Sequence, residues 1–123
     1  MKRNDEEHRI QSGIIRCLRP LPECEWLHAI PNGGKRAMKT AVKLKKEGVK
    51  AGIHDLFLPW VVWLDGRILY PGMYMEVKAG KNRLTPEQKE FKIYAEKQGY
   101  KCVTVWSVQE GVDAVLLYLG RMK

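Results

Sequence analysis

The stretch MYMEVKAGKNRLTPEQ, residues 73–88, decides the fold. Met73, Met75 and Val77 alternate with Tyr74, Glu76 and Lys78, the two-residue period of a strand whose side chains point to opposite faces. Thr85, Pro86 and Gln88 then open a helix. The threonine caps it, the proline takes the first helical position, and the glutamine stands where it can reach back to the cap. Gly99 stops that helix, and KCVTVW at 101–106 reads as another strand. Strand, helix and strand in this order form a crossover unit with parallel strands and right-handed connection. The first strand also poses a chemical problem. Glu76 and Lys78 share one of its faces, and charged side chains are seldom taken out of water unless they are paired or hold a metal.

Upstream, LFLPWVVWL (56–64) and RILYPGMYMEVKA (67–79) flank Asp65-Gly66, a strong hairpin signal. Pro59 and the Pro71-Gly72 pair are expected at edge positions or bulges, with the sheet continuing beyond them. Ile10, Ile14, Ile15 and Leu18 recur at helical spacing from Asp5 to about Arg19, where Pro20 and Pro22 end the pattern. EWLHAI (25–30) reads as a short strand and PNGG as a turn. A helix is expected from about Lys35 to Glu47, stopped by Gly48, with Lys39, Lys43, Lys46 and Lys50 as a solvated stripe on its polar side. Ser107 and Glu110 repeat the capping spacing ahead of Val112, Val115, Leu116 and Leu119, a closing helix. The fold class is therefore α/β: a mixed β-sheet flanked by α-helices.

The 123 residues are enough for a single domain, 1–123, with a sizeable core. A formal charge of +8 and a pI near 9.5 favour a polyanionic partner, nucleic acid first, over a neutral metabolite or an acidic protein. The polar opening MKRNDEEHRIQ carries neither a secretory signal nor a membrane span, so an intracellular, soluble protein is expected. Cys17, Cys24 and Cys102 form no C-x-x-C pair and are odd in number, which argues against a zinc knuckle or disulfide framework; they read as reduced packing residues. Trp60 and Trp63 sit in apolar runs and read as core packing or a subunit contact.

Two carboxylates, Asp55 and Glu76, with a main-chain carbonyl and waters would suit Mg²⁺, a hard cation that keeps much of its hydration and bridges to phosphate. Asp55 followed by Glu76-Val77-Lys78 resembles the D…E-x-K core of the PD-(D/E)xK nuclease superfamily. The chain further resembles its virus-type replication-repair nuclease domain, VRR-NUC. The matching pieces are Glu7 with Gln11, HAIPNGGKR (28–36), GVKAGIHD ending at Asp55, MEVK (75–78) and LTPEQ ending at Gln88. The resemblance implies a restriction-endonuclease-like fold. It implies Asp55, Glu76 and the Val77 carbonyl as ligands of Mg²⁺ or Mn²⁺, and Lys78 as the group that orients or helps deprotonate the attacking water. It also implies Glu7 completing the acidic pocket, with Glu6 if the helix is rotated, and Gln88 at the pocket mouth near Lys78.

His28, Asn32, Lys35 and Arg36 are candidate DNA contacts, the last two near a helix start where backbone N–H groups favour phosphate. Lys81 and Arg83, with Asn82 between them, border the pocket and are candidates too. One position departs from the family: His54 stands where proline commonly precedes the aspartate, and it reads as a surface residue of a tolerant loop, with contact to substrate or water as the alternative. Stand-alone members of the family look like phage junction resolvases. The resemblance thus implies a Holliday-junction endodeoxyribonuclease acting as a homodimer in DNA repair or recombination, inside a bacterial host if phage-encoded. The competing readings are a flap or nicking nuclease, a restriction-type duplex cutter, and a non-catalytic DNA-binding module.

Overall fold

The computed structural model describes residues 5–31 and 38–122, and their side chains except those of residues 38–40. In chain order the elements are α1 (Asp5–Leu18), β1 (His28–Ala29), α2 (Met38–Lys46), β2 (Leu56–Leu58), β3 (Val62–Leu64), β4 (Arg67–Tyr70), β5 (Met73–Val77), α3 (Pro86–Lys97), β6 (Lys101–Val105) and α4 (Val108–Tyr118). A four-stranded sheet runs β1-β2-β5-β6. β1, β2 and β5 are antiparallel neighbours, and β5 and β6 are parallel, with Glu76 beside Thr104 and Val77 beside Val105. The mixed sheet and the parallel strand–helix–strand unit are as the sequence leads one to expect.

β5 is an inner strand covered on both faces. Met73, Met75 and Val77 join Leu56 and Leu58 in a core completed by Ile10, Ile14 and Leu18 of α1 and Val115 and Tyr118 of α4. On the other face Tyr74 packs on Phe57, with ring centroids 4.5 Å apart, and meets Phe91 of α3 edge-on at 4.9 Å. Thr85 and Gln88 form the full capping box that opens α3. Ser107 accepts from the Glu110 N–H, while Glu110 turns its carboxylate to the N–H of Trp106, one residue before the cap.

The apolar runs around Asp65-Gly66 do not continue one sheet. Each splits at its proline: β2 and β5 belong to the main sheet, whereas β3 and β4 form a separate two-stranded ribbon. Pro59 and Pro71 lack the N–H a ladder needs, so the strands end there and the chain changes direction. Gly72 makes the return possible, since a Cβ there would stand 2.6 Å from Phe57 Cζ and 3.1 Å from the Leu58 carbonyl oxygen. Asp65 and Gly66 both take positive φ, 51° and 78°, the backbone of a two-residue hairpin turn. The ribbon is held at its base by the Tyr118 hydroxyl, which donates to the Trp60 carbonyl at 2.7 Å.

Trp60 and Trp63 are not core residues: they are 42 % and 63 % exposed, and Leu64, Ile68 and Leu69 of the ribbon are exposed too. Cys17 is also exposed, whereas Cys24 and Cys102 are buried packing residues. The strand in EWLHAI is confined to His28 and Ala29. Among the described residues no helix is long and apolar enough to cross a membrane.

Candidate active site

β2 runs antiparallel to β5 with Leu56 opposite Met75. One step further sets Asp55 across from Glu76, on the face of the sheet that α3 covers. The ladder ends here in a side chain: Asp55 Oδ2 accepts the Val77 N–H at 2.8 Å, while the Asp55 carbonyl takes the N–H of Ile30. Lys78 extends the parallel pairing by donating its backbone N–H to Val105. Asp55, Glu76 and Lys78, expected from the sequence to converge, are thus brought together by two neighbouring strands, and all three are buried.

Glu76 is the centre of the group. Its Oε2 accepts from Gln88 Nε2 at 3.0 Å and lies 3.6 Å from Lys78 Nζ. Gln88 works at both ends, because its Oε1 closes the α3 capping box on the Thr85 N–H. The helix start and the carboxylate are therefore fixed by one side chain. Oε1 of Glu76 has no hydrogen-bond partner. Burial, and then the negative charge of Asp55, push the Glu76 carboxyl up to about 8, with Lys78 offsetting part of the rise. A carboxylate so placed is costly to ionise unless a cation joins it.

His54 is not on the surface. Its side chain is wholly buried, edge-on to Phe91 at 5.1 Å, with Nδ1 3.5 Å from Glu76 Oε1. Neither ring nitrogen has a hydrogen-bond partner. Burial, with the positive charges of Lys92 and Lys78 behind it, holds the ring down to about 4, so it is neutral at ordinary pH. The turn leading to it is pressed on α3: Gly52 has φ 95°, and a Cβ there would stand 2.7 Å from the Glu87 carbonyl oxygen. Nothing in the order G-I-H-D signals that the helix after β5 closes over the imidazole.

Glu7 faces the same end of the sheet and accepts from Asn82 Nδ2 at 3.0 Å, while Glu6 is exposed. Asn82 also takes the indole N–H of Trp106 on its carbonyl at 2.9 Å, and the Arg83 guanidinium lies 5.8 Å from the Trp106 ring. The loop after Lys78 is thereby tied both to α1 and to the end of β6. The sequence marks Glu7 through its resemblance but gives no sign of Trp106 as the anchor. Lys81 and Arg83 are exposed on that loop. His28 is exposed at the sheet edge against Phe57. Asn32, Lys35 and Arg36 lie outside the described residues.

Among the described residues no three His, Cys, Asp or Glu side chains are grouped so as to hold a metal ion by themselves. The donor set present, two neighbouring buried carboxylates with an unpartnered oxygen, suits a hard cation that fills its remaining positions with water and phosphate oxygen. Fold and site together define a nuclease-type domain: carboxylates and a lysine at the ends of two adjacent inner strands, backed by a helix.

No known family's sequence profile matches the chain, and no curated protein sequence does. Among solved structures, one described as "VRR_NUC domain protein" superposes with a TM-score of 0.76 and 25 % identity, covering 94 % of this chain and 88 % of that one. Over nearly its whole length the chain is thus similar in fold to a VRR-NUC domain, a likeness that supports a nuclease domain of the PD-(D/E)xK kind.

Proposed function

We propose that the chain is a Mg²⁺- or Mn²⁺-dependent endodeoxyribonuclease that hydrolyses phosphodiester bonds in branched DNA, a Holliday junction foremost, and acts as a homodimer. The observation that carries the catalytic part is Glu76: buried beside Asp55, one oxygen held by Gln88 and Lys78, the other unpartnered. Asp55, Glu76 and the Val77 carbonyl would hold the cation. When bound, that ion supplies Lewis acidity, lowering the pKa of a water and stabilising the leaving oxygen. Lys78 orients the attacking water and offsets charge on the phosphate, Gln88 keeps the Glu76 carboxylate turned, and Glu7 adds negative charge at the pocket rim. Lys81, Arg83 and His28, with Asn32, Lys35 and Arg36, contact the DNA backbone. A chain of charge +8 then binds with strong salt dependence, because phosphate contacts release counterions.

The homodimer is supported by the ribbon. Trp63, Leu64, Ile68 and Leu69 are 44–63 % exposed on a two-stranded sheet separate from the main one, a surface suited to a second copy. A two-fold junction cut on two strands calls for two pockets related by the same symmetry. The test is a cleavage panel of junction, flap and linear duplex, with and without Mg²⁺ or Mn²⁺, for the wild type and Glu76→Gln. Metal-dependent junction cleavage abolished by Glu76→Gln is the expected result; cleavage undiminished in that variant would defeat the assignment. Preference for flap or duplex would replace the junction by that substrate.

A further inference from the structure

We propose that His54 is itself a ligand of the divalent cation, so that this chain grips the ion through an imidazole nitrogen as well as carboxylate oxygens; the inference rests on the metal-dependent reading above. Three buried polar atoms lack partners, both ring nitrogens of His54 and Oε1 of Glu76, and of these Nδ1 and Oε1 are neighbours. An unpaired buried polar atom costs about 1–3 kcal/mol, and such atoms are rare in folded proteins. A hydrogen bond between the two side chains would remove two of the three. Yet Nδ1 and Oε1 stand 3.5 Å apart and make none.

That spacing has another reading. Two donors bound side by side to one ion at about 2.1 Å are about 3.0–3.4 Å apart, for bond angles from octahedral to tetrahedral. His54 and Glu76 are within a few tenths of an ångström of such neighbours. The ring is held in place by Phe91, and its own neighbour in sequence is Asp55. Where the resemblance leads one to expect a proline, with no donor atom at all, this chain has a nitrogen at the edge of the carboxylate pair. The described residues hold no ready-made group of three such ligands, so the adjacent pair is His54 and Glu76, and the ion fills its other positions with water and phosphate oxygen. Imidazole suits borderline ions, so the site favours Mn²⁺ over Mg²⁺ more than a site of oxygen donors alone.

The test uses the full chain and Mn²⁺ alone, with electron spin-echo modulation to detect nitrogen bonded to the ion. The chain has three histidines. The variant His8→Gln/His28→Gln, at two exposed positions, leaves His54 as the last. Histidine-nitrogen modulation is expected in the wild type and in this variant, and its identity is checked by ¹⁵N labelling of histidine. In His54→Gln the modulation is lost, and Mn²⁺ affinity falls about 10-fold or more, beyond any loss of Mg²⁺ affinity. If Mn²⁺ binds the double variant with no nitrogen coupling, the ligand role is overturned while the metal-dependent reading stands. If Mn²⁺ does not bind at all, both fall. Should His54→Gln not fold, the double variant still decides.

Discussion

In the metal-free protein, two neighbouring groups set opposing trends of stability with pH. Burial raises Glu76 from 4.5 to about 8. Between those values the native protein keeps a proton that the unfolded chain has released, and the fold loses about 1.4 kcal/mol for each pH unit of rise. Burial lowers His54 from 6.5 to about 4. There the unfolded chain takes the proton that the native one refuses, and stability climbs with pH by a similar amount per unit up to its ordinary value. The two slopes cancel from about pH 4.5 to 6.5, and the Glu76 loss stands alone from 6.5 to 8, roughly 2 kcal/mol in all. Replacing Glu76 by glutamine removes the ionising carboxyl and keeps its shape. Glu76→Gln should therefore lose the decline above pH 6.5, gain a rise below it, and exceed the wild type by about 2–4 kcal/mol near pH 7.5. Urea unfolding of chelated protein at half-unit pH steps, followed by tryptophan fluorescence, measures this directly. A wild type that holds its stability from pH 6.5 to 8, or a Glu76→Gln protein that declines in parallel with it, would refute the reasoning.

Further outcomes rest on other parts of the structure. Gln88→Ala removes both the link to Glu76 and half of the α3 capping box, and should cost about 1–2 kcal/mol in urea midpoint analysis and slow cleavage as well. For the proposed homodimer, Trp63→Lys on the exposed ribbon should leave thermal stability nearly unchanged yet shift sedimentation towards the monomer; a variant that sediments as the wild type does would remove the ribbon from the interface. Gly72→Ala drives a methyl group against Phe57 and the Leu58 carbonyl, and should destabilise the fold by about 1–3 kcal/mol in calorimetry, because one of the two neighbours is backbone and cannot swing aside.

Much of the architecture was legible without coordinates because its signals are local. The alternation in Met73–Lys78, the cap formed by Thr85, Pro86 and Gln88, and the Asp65-Gly66 turn each follow from the covalent preferences of a few neighbouring residues. So does the location of Asp55, Glu76 and Lys78 at strand ends, once strand order is known. What the residues alone did not reveal is how the strands are shared between sheets. The runs broken by Pro59 and Pro71 read as one hairpin, and only the competition for pairing partners shows that β2 and β5 pair with each other and put the ribbon outside. The tryptophans of that ribbon followed it out of the core.

His54 marks the same boundary. A histidine between isoleucine and aspartate has no fixed environment in sequence; its burial arises because Gly52 lets the turn lie against α3 and Phe91 closes over the ring. Likewise Glu7 and Asn82, 75 residues apart, meet only because α1 and the loop after β5 reach the same end of the sheet. The chain's order by itself determined which groups can ionise and which segments become strand or helix, since those depend on residue type and nearest neighbours. The tertiary structure alone decided which charges lose their water and what stands beside them, because desolvation and Coulomb energy depend on packing between distant segments.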